Sequence, residues 1–581
     1  MLPPADLNSP FIIGALLDEV PGYHHSSTRK QPTADTEPNT VRTPTQPVRG
    51  RGVAIDYLLD ALARNPSDAH YIFYVPPQLL ARSREWHSRR ADALACRCDQ
   101  PISCERLITE QRYRPSLDVW LDLIGNTGQA ARMRESFSAD LHPLVSLQHG
   151  ISKHSYLYDR TVRLYLSHTY ACDSILCTSS ASQKAMRLLL EESSERLYSD
   201  FGVKLAFAGR VDKIPLCVDT SLFRPRPRGE ARTKLGIPLG AFVLLHFGFI
   251  SSTKADFLTL IRVLRTLVAN NPHTPILLII GGTGIGTYSQ SLLQVLREVR
   301  LQEHVMFAHA MPDHLKMDLM NASDVFVTIG DSLAESFGLA PVEAMASGLP
   351  QIATDWNGHR ETVEHGKTGF LIPTKWCGYD HDLSCSDDLL GWHYDHALMS
   401  QSVIIDVCTL VDRIQALIDN STLRAVMGEA SRNRAVAEFG YEVTAQRHEE
   451  LWRELRVLSK SITYISPAYK LHAPHYDAIF GGYSTERLNS HDRLTLGQQG
   501  LDMSLILRTI VADIPGAELF DLNVLEHIMS CVRELLRTDK PFVGIRISEL
   551  TDLVCDAGYT QLLASRHVAW LLKHGYLGYQ Q

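Results

Sequence analysis

No stretch of this 581-residue chain stays apolar for the length that a membrane-spanning helix needs, which leaves peripheral contact as the expected way of meeting a membrane. Cysteine is sparse and unpatterned. The eleven thiols follow no framework spacing, and Cys96-Arg-Cys98 with Cys104 lack the paired Cys-x2-Cys knuckles of a zinc site, so they read as free thiols and no metal is expected. The N-terminus, Met1-Leu-Pro-Pro-Ala5, has neither a basic region nor an apolar core, and the expected location is the reduced cytoplasm. Positive charge is not in excess either: a formal net charge of -8 gives no general electrostatic reason to bind nucleic acid. What is present is a 45% hydrophobic content and a length sufficient for three or four domains.

Short apolar runs alternate with helical periodicity along most of the chain. Phe11 to Leu17, Tyr71 to Val75, Leu144 to Leu147, Ser174 to Cys177 and Asp212 to Leu216 read as buried strands of a first α/β domain covering residues 1–225. Within it, the Thr- and Pro-rich stretch 28–47 is expected to be a flexible loop, and Gly50-Arg51-Gly52 a glycine-bearing loop ahead of a helix. A polar, proline-bearing link around Arg224 to Gly236 separates this from a second α/β domain, 226–430. Its strands are Ala241 to Gly248, Pro275 to Ile280, Val305 to Phe307 and Ala322 to Ile329. From Ile404 to Leu455 the pattern is helical, and residues 459–581 form an appended, mainly helical unit. A winged-helix-like fold and a plain appendage both fit that unit, and its lack of basic excess favours an appendage resting on the rest of the chain or on a protein partner.

The densest chemistry lies in Asp331-Ser-Leu-Ala-Glu335-Ser-Phe-Gly338-Leu-Ala-Pro341-Val-Glu343, which follows the strand ending at Ile329. Gly338 allows close backbone approach, Pro341 suits a first helical turn, and the free amides of such a turn make a ready anion site. Glu335 and Glu343 are eight residues apart, so they are placed to hold two parts of one extended, hydroxyl-rich ligand, since carboxylates accept paired hydrogen bonds from vicinal diols. A nucleotide sugar carries both phosphate and diols.

At these residues the chain resembles the retaining group 1 (family 4-type) glycosyltransferases of GT-B fold. The likeness extends through Ala344 to Pro350, Thr354-Asp355-Trp-Asn-Gly358, Glu361-Thr-Val363 and Gly366-Lys-Thr-Gly369, in that family's order. It implies two Rossmann-like doubly wound domains facing a cleft, with residues 431–458 as a helix crossing back to the first. It further implies transfer of a sugar from a nucleotide diphosphate sugar to an acceptor with retention, and no obligatory cofactor or metal. The acceptor (glycan, lipid, protein or small molecule) is not named by it.

Carried over residue by residue, the resemblance makes Glu335, Lys254 and His149 the catalytic candidates. Glu335 orients the sugar, Lys254 steadies the departing diphosphate and His149 stands near the transferred sugar. Glu343 is assigned the ribose; Ser336, Phe337, Gly338 and Leu339 the anion turn; Gly282 and Thr283 the phosphate or base. His309 and Met311 stand where the family's backbone meets the nucleobase, and Gly50 and Arg51 beside the diphosphate. Asp331 is expected to brace the turn. One departure stands out: Phe249 occupies the place of the family's second cation, an arginine. That leaves a rival open, a catalytically degenerate nucleotide-sugar-binding or regulatory protein. A phosphorylase of similar shape is the other rival, though no segment resembles a lysine that holds pyridoxal phosphate.

Overall fold

The computed structural model describes residues 11–17, 50–76, 79–89, 100–104, 116–138, 140–151, 154–284, 287–309, 313–333, 335–378, 392–464, 479, 484, 488–498, 500, 521–536 and 544–579. The 28–47 stretch, Cys96, Cys98 and Met311 lie outside them. Seven strands form the first sheet: β1 (Phe11–Leu16), β2 (Ala69–Val75), β3 (Ile102–Ser103), β4 (Val119–Asp122), β5 (Leu144–Gln148), β6 (Ser174–Cys177) and β7 (Arg210–Lys213). Their order is β3-β2-β1-β4-β5-β6-β7 and every neighbouring pair is parallel. Six more form the second: β8 (Phe242–Phe249), β9 (Ile276–Thr283), β10 (Val305–His309), β11 (Val325–Thr328), β12 (Gln351–Thr354) and β13 (Gly369–Ile372), ordered β10-β9-β8-β11-β12-β13 and again parallel.

Each sheet reverses its winding direction once, between β1 and β4 and between β8 and β11. The loops leaving the carboxyl ends of such a pair diverge and open a crevice, where ligands of doubly wound sheets bind. Strands covered by helices on both faces must be apolar on both faces, which is why Val325, Phe326 and Val327 are all fully buried.

Three local expectations are corrected. Gly50, Arg51 and Gly52 are not a loop but the opening turn of the helix Gly50–Arg64. The strand placed at Asp212 to Leu216 ends at Lys213, because Pro215 has no N–H to give the ladder. Ile404 belongs to a short strand, Val403–Ile405, paired antiparallel with Thr374–Trp376, rather than to a helix.

The helix Tyr441–Ser459 returns to the first sheet. Leu451, Trp452 and Leu455 enter the same core as Ile13, Val119 and Leu121, and Trp452 is fully buried there. Arg456 fixes the register through a 2.8 Å ion pair to Asp118, whose other oxygen accepts the amide of Ile12. Deeper in the same lobe, Arg134 and Asp173 form a fully buried bidentate pair at 2.6 and 2.9 Å. Arg134 also donates to the carbonyls of His142 and His168, and Asp173 accepts the amides of Leu144 and Tyr170. One ion pair thus ties β5, the segment before β6 and the helix Thr127–Phe137.

The C-terminal unit has its own core, with Leu494, Leu525, Ile528, Leu550, Val568 and Leu571 among its buried members. Three helices, Leu522–Leu536, Ile547–Asp556 and Gln561–Lys573, pack on an antiparallel sheet of Ile545–Arg546, Arg493–Leu496 and Leu577–Tyr579 in that spatial order. The middle strand of this sheet is supplied ahead of the helices in the chain. Among the described residues no helix is long and apolar enough to cross a membrane.

Candidate active site

The two crevices face each other. From the second lobe come the loop after β8, which carries Lys254, and the turn between β11 and the helix Leu339–Ala346, which carries Glu335 to Gly338. Gly338 takes φ +91°, a conformation open to glycine and costly for a side chain, and it stands immediately before that helix. The turn is also packed from behind: a Cβ on Gly358 would lie 2.3 Å from the backbone nitrogen of Phe337, so only glycine lets the loop after β12 approach this closely.

Lys254 Nζ lies 3.6 Å from Glu335 Oε2, with both side chains about 30% exposed (29% and 30%). An ion pair this open adds little to stability, and it leaves both charged ends accessible to a ligand. Ser336 Oγ donates to the His149 carbonyl at 2.7 Å, and Thr178 Oγ1 donates to the Ser336 carbonyl at 3.3 Å, fastening the turn across the cleft to the ends of β5 and β6. His149 is therefore beside the turn. Its Nε2 lies 2.7 Å from the Leu123 carbonyl, which can only accept, so Nε2 carries a proton already committed to the first lobe.

Glu343 is wholly buried. Its Oε1 accepts the phenol of Tyr57, from the helix Gly50–Arg64 of the first lobe, at 2.7 Å, and its Oε2 stands 2.5 Å from Lys316 Nζ. Phe337 turns its ring into the core against Phe439, so within the turn it offers a ligand its backbone alone. Gly282 and His309 are paired across β9 and β10 at the sheet's carboxyl edge, with Thr283 next to them. Phe249 ends β8 and is 39% exposed, an uncharged ring at the mouth of the crevice. Gly50 and Arg51 lie upstream of Tyr57 on the same helix. Ser251, a neighbour of Lys254, bonds Thr253 within its own loop.

Tyr57, Thr178 and Lys316 are the residues that sequence reasoning missed. Each belongs to an ordinary helix or strand end, with no motif around it.

Two buried histidines carry no charge into this region at neutral pH: His246 is pushed down to about 4 by burial and His359 is lowered by burial as well. Asp331 behaves in the opposite sense. It is 5% exposed, its Oδ1 has no hydrogen-bond partner among the described residues, and burial, then the nearby charge of Asp256, pushes it up to about 7. The unfolded chain gives this carboxyl an ordinary acidity near 4, so between pH 4 and 7 the unfolded state has lost a proton that the folded state keeps. The contribution of Asp331 to stability falls as pH rises through that window. Asp331→Asn should match the parent near pH 4 and melt roughly 5 °C higher at pH 8. Melting curves across that range check it, and a gap that does not widen with pH would mean the carboxyl is solvated.

Comparison with known proteins adds to this geometry. Residues 227–377 match the family described as Glycosyl transferases group 1. The D-inositol 3-phosphate glycosyltransferase of Nocardia farcinica is 32% identical over 166 residues, 28% of this chain and 36% of that protein. The enzyme of the same name from Pseudarthrobacter chlorophenolicus is 29% identical over 267 residues, 45% and 57% of the two chains. The chain thus spans well under two thirds of the curated relatives it matches. The crystal structure of Anabaena HepE in complex with UDP superposes with a TM-score of 0.50 at 18% identity, covering 76% of this chain and all of that one (100%), a likeness of fold. The two facing Rossmann-like sheets are accordingly a GT-B frame, and residues 227–377 of its second lobe match the group 1 family model.

Proposed function

We propose that this protein transfers a glycosyl unit from a nucleoside diphosphate sugar to an acceptor hydroxyl with retention of configuration. The observation that carries the reading is the pairing of Lys254 with Glu335 at the carboxyl edge of β8 and β11, inside a group 1 domain. A bond to the leaving diphosphate that breaks ahead of acceptor attack builds negative charge on phosphate. A lysine held at that point, paired with Glu335 of the turn that leads into the helix Leu339–Ala346, stabilises the charge where it grows. Glu335 orients the sugar hydroxyls, and Glu343 the ribose, which requires Glu343 to exchange its contact with Tyr57 or Lys316 when the donor binds. Retention and the absence of an obligatory cofactor rest on the resemblance of the motif, and a reduced, cytoplasmic location on the unpatterned cysteines.

Incubation with UDP-, GDP- and ADP-sugars, read by NMR at the anomeric carbon, tests the reading. Inositol 3-phosphate is the first acceptor to try, from the names of the relatives. Neither hydrolysis nor transfer with any donor, together with no binding of any, would remove the proposal. Under it, Glu335→Gln should lower kcat about 100-fold with little change in donor KM, and Glu343→Gln should raise donor KM about tenfold with kcat largely kept. Equal effects of the two on both parameters would refute the division of labour.

A second reading is favoured by the exposed Phe249 and by the engagement of both Glu343 oxygens. A protein that binds the nucleotide sugar without turning it over would show saturable binding and no product.

A further inference from the structure

The uncharged Phe249 leaves the loop after β8 with one cation among its described residues, Lys254, where the resemblance expects two. A pyrophosphate link carries more negative charge than one ammonium neutralises, so either the site binds weakly or a second cation comes from elsewhere. We propose that Lys316 is that cation, a binding residue for the phosphates of a nucleoside diphosphate.

Its position is set by three contacts. Lys316 Nζ lies 4.9 Å from the ring centre of Phe247 and 5.4 Å from that of Phe223, faces that attract a cation, and 2.5 Å from Glu343 Oε2. Phe247 is a residue of the carboxyl end of β8, so Lys316 stands at that edge of the sheet. An ammonium has three N–H donors, and Glu343 Oε2 can take one of them, while the two ring faces attract the charge without accepting a full hydrogen bond. With 14% of its side chain exposed, Lys316 is fixed in place yet still reaches solvent. Holding the ammonium beforehand on a carboxylate and two rings also removes most of the entropy that a free lysine would lose on meeting phosphate.

The arrangement accounts for how the chain dispenses with an arginine beside Gly248. The charge is supplied from the helix Asp313–Ala322, one strand connection away, and Glu343 links the ribose position to it. Tyr57 completes the link from the first lobe, through its 2.7 Å hydrogen bond to Glu343.

This inference rests on the proposed function, and one titration separates the two. UDP, GDP and ADP, and the matching nucleosides, are titrated calorimetrically into the full chain and into Lys316→Met. Because that change leaves Glu343 buried without its cation, Lys316→Met/Glu343→Gln is compared with Glu343→Gln as well. We expect diphosphate affinity to fall about 30-fold in each comparison while nucleoside affinity changes less than twofold. A purely structural Lys316 would change nucleoside and diphosphate affinity alike. Diphosphate affinity unchanged in the double variant relative to Glu343→Gln overturns the assignment of Lys316. A parent protein that binds none of the diphosphates overturns the proposed function itself.

Discussion

Lys254→Ala should lower kcat for sugar transfer by about two to three orders of magnitude, raise donor KM only a few-fold, and leave the melting temperature where it was. The asymmetry follows from where the charge sits. In the resting protein Lys254 faces Glu335 at 3.6 Å across an open crevice, and exposed pairs of this kind contribute little to folding. Under the proposed function, the same ammonium faces a full negative charge at the moment the sugar leaves its diphosphate, a charge that was partly shared a step earlier. Interactions that strengthen during the reaction lower the barrier, whereas those present throughout only tighten binding. Steady-state kinetics with the preferred donor decide the matter. A loss of less than tenfold, with a normal fold, would put the charge stabilisation elsewhere.

The largest expected loss of stability lies far from the cleft. Arg134→Met should destabilise the first lobe by about 3–5 kcal/mol, because it leaves the Asp173 carboxylate buried without its counter-ion. The carbonyls of His142 and His168 lose their donor in the same change. Pairing the change with Asp173→Leu should recover a large part of the loss, since a buried ion pair replaced as a whole by apolar groups costs far less than one broken in half. Urea unfolding followed through the first lobe measures both. If the double variant is no more stable than Arg134→Met, the amides of Leu144 and Tyr170 depend on Asp173 more than on the pair.

Much of the frame was legible before any coordinates. A strand such as Val325–Thr328 declares itself by the apolar run Val325-Phe326-Val327, which burial between helix layers favours. The acidic turn was legible for a different reason: Gly338 and the spacing of Glu335 and Glu343 are local, and local geometry is written in consecutive residues. What escaped was tertiary. Tyr57 reaches Glu343 across 286 residues and Thr178 reaches Ser336 across 158, and nothing in a helix or strand end marks which polar side chain will face a distant partner. The direction of the Phe337 ring and the burial of Asp331 are of the same kind. Short pairings are lost for another reason: Val403–Ile405 and Ile545–Arg546 are too brief to show a period at all.

The returning helix Tyr441–Ser459 has a consequence for how the chain is made. Trp452 and its neighbours finish a hydrophobic interior whose other walls are laid down before residue 220, so during synthesis that interior stays open until the ribosome has released the whole of the second lobe. A nascent N-terminal half is thus an incomplete body with a greasy flank, and the order of translation makes the two halves mature together.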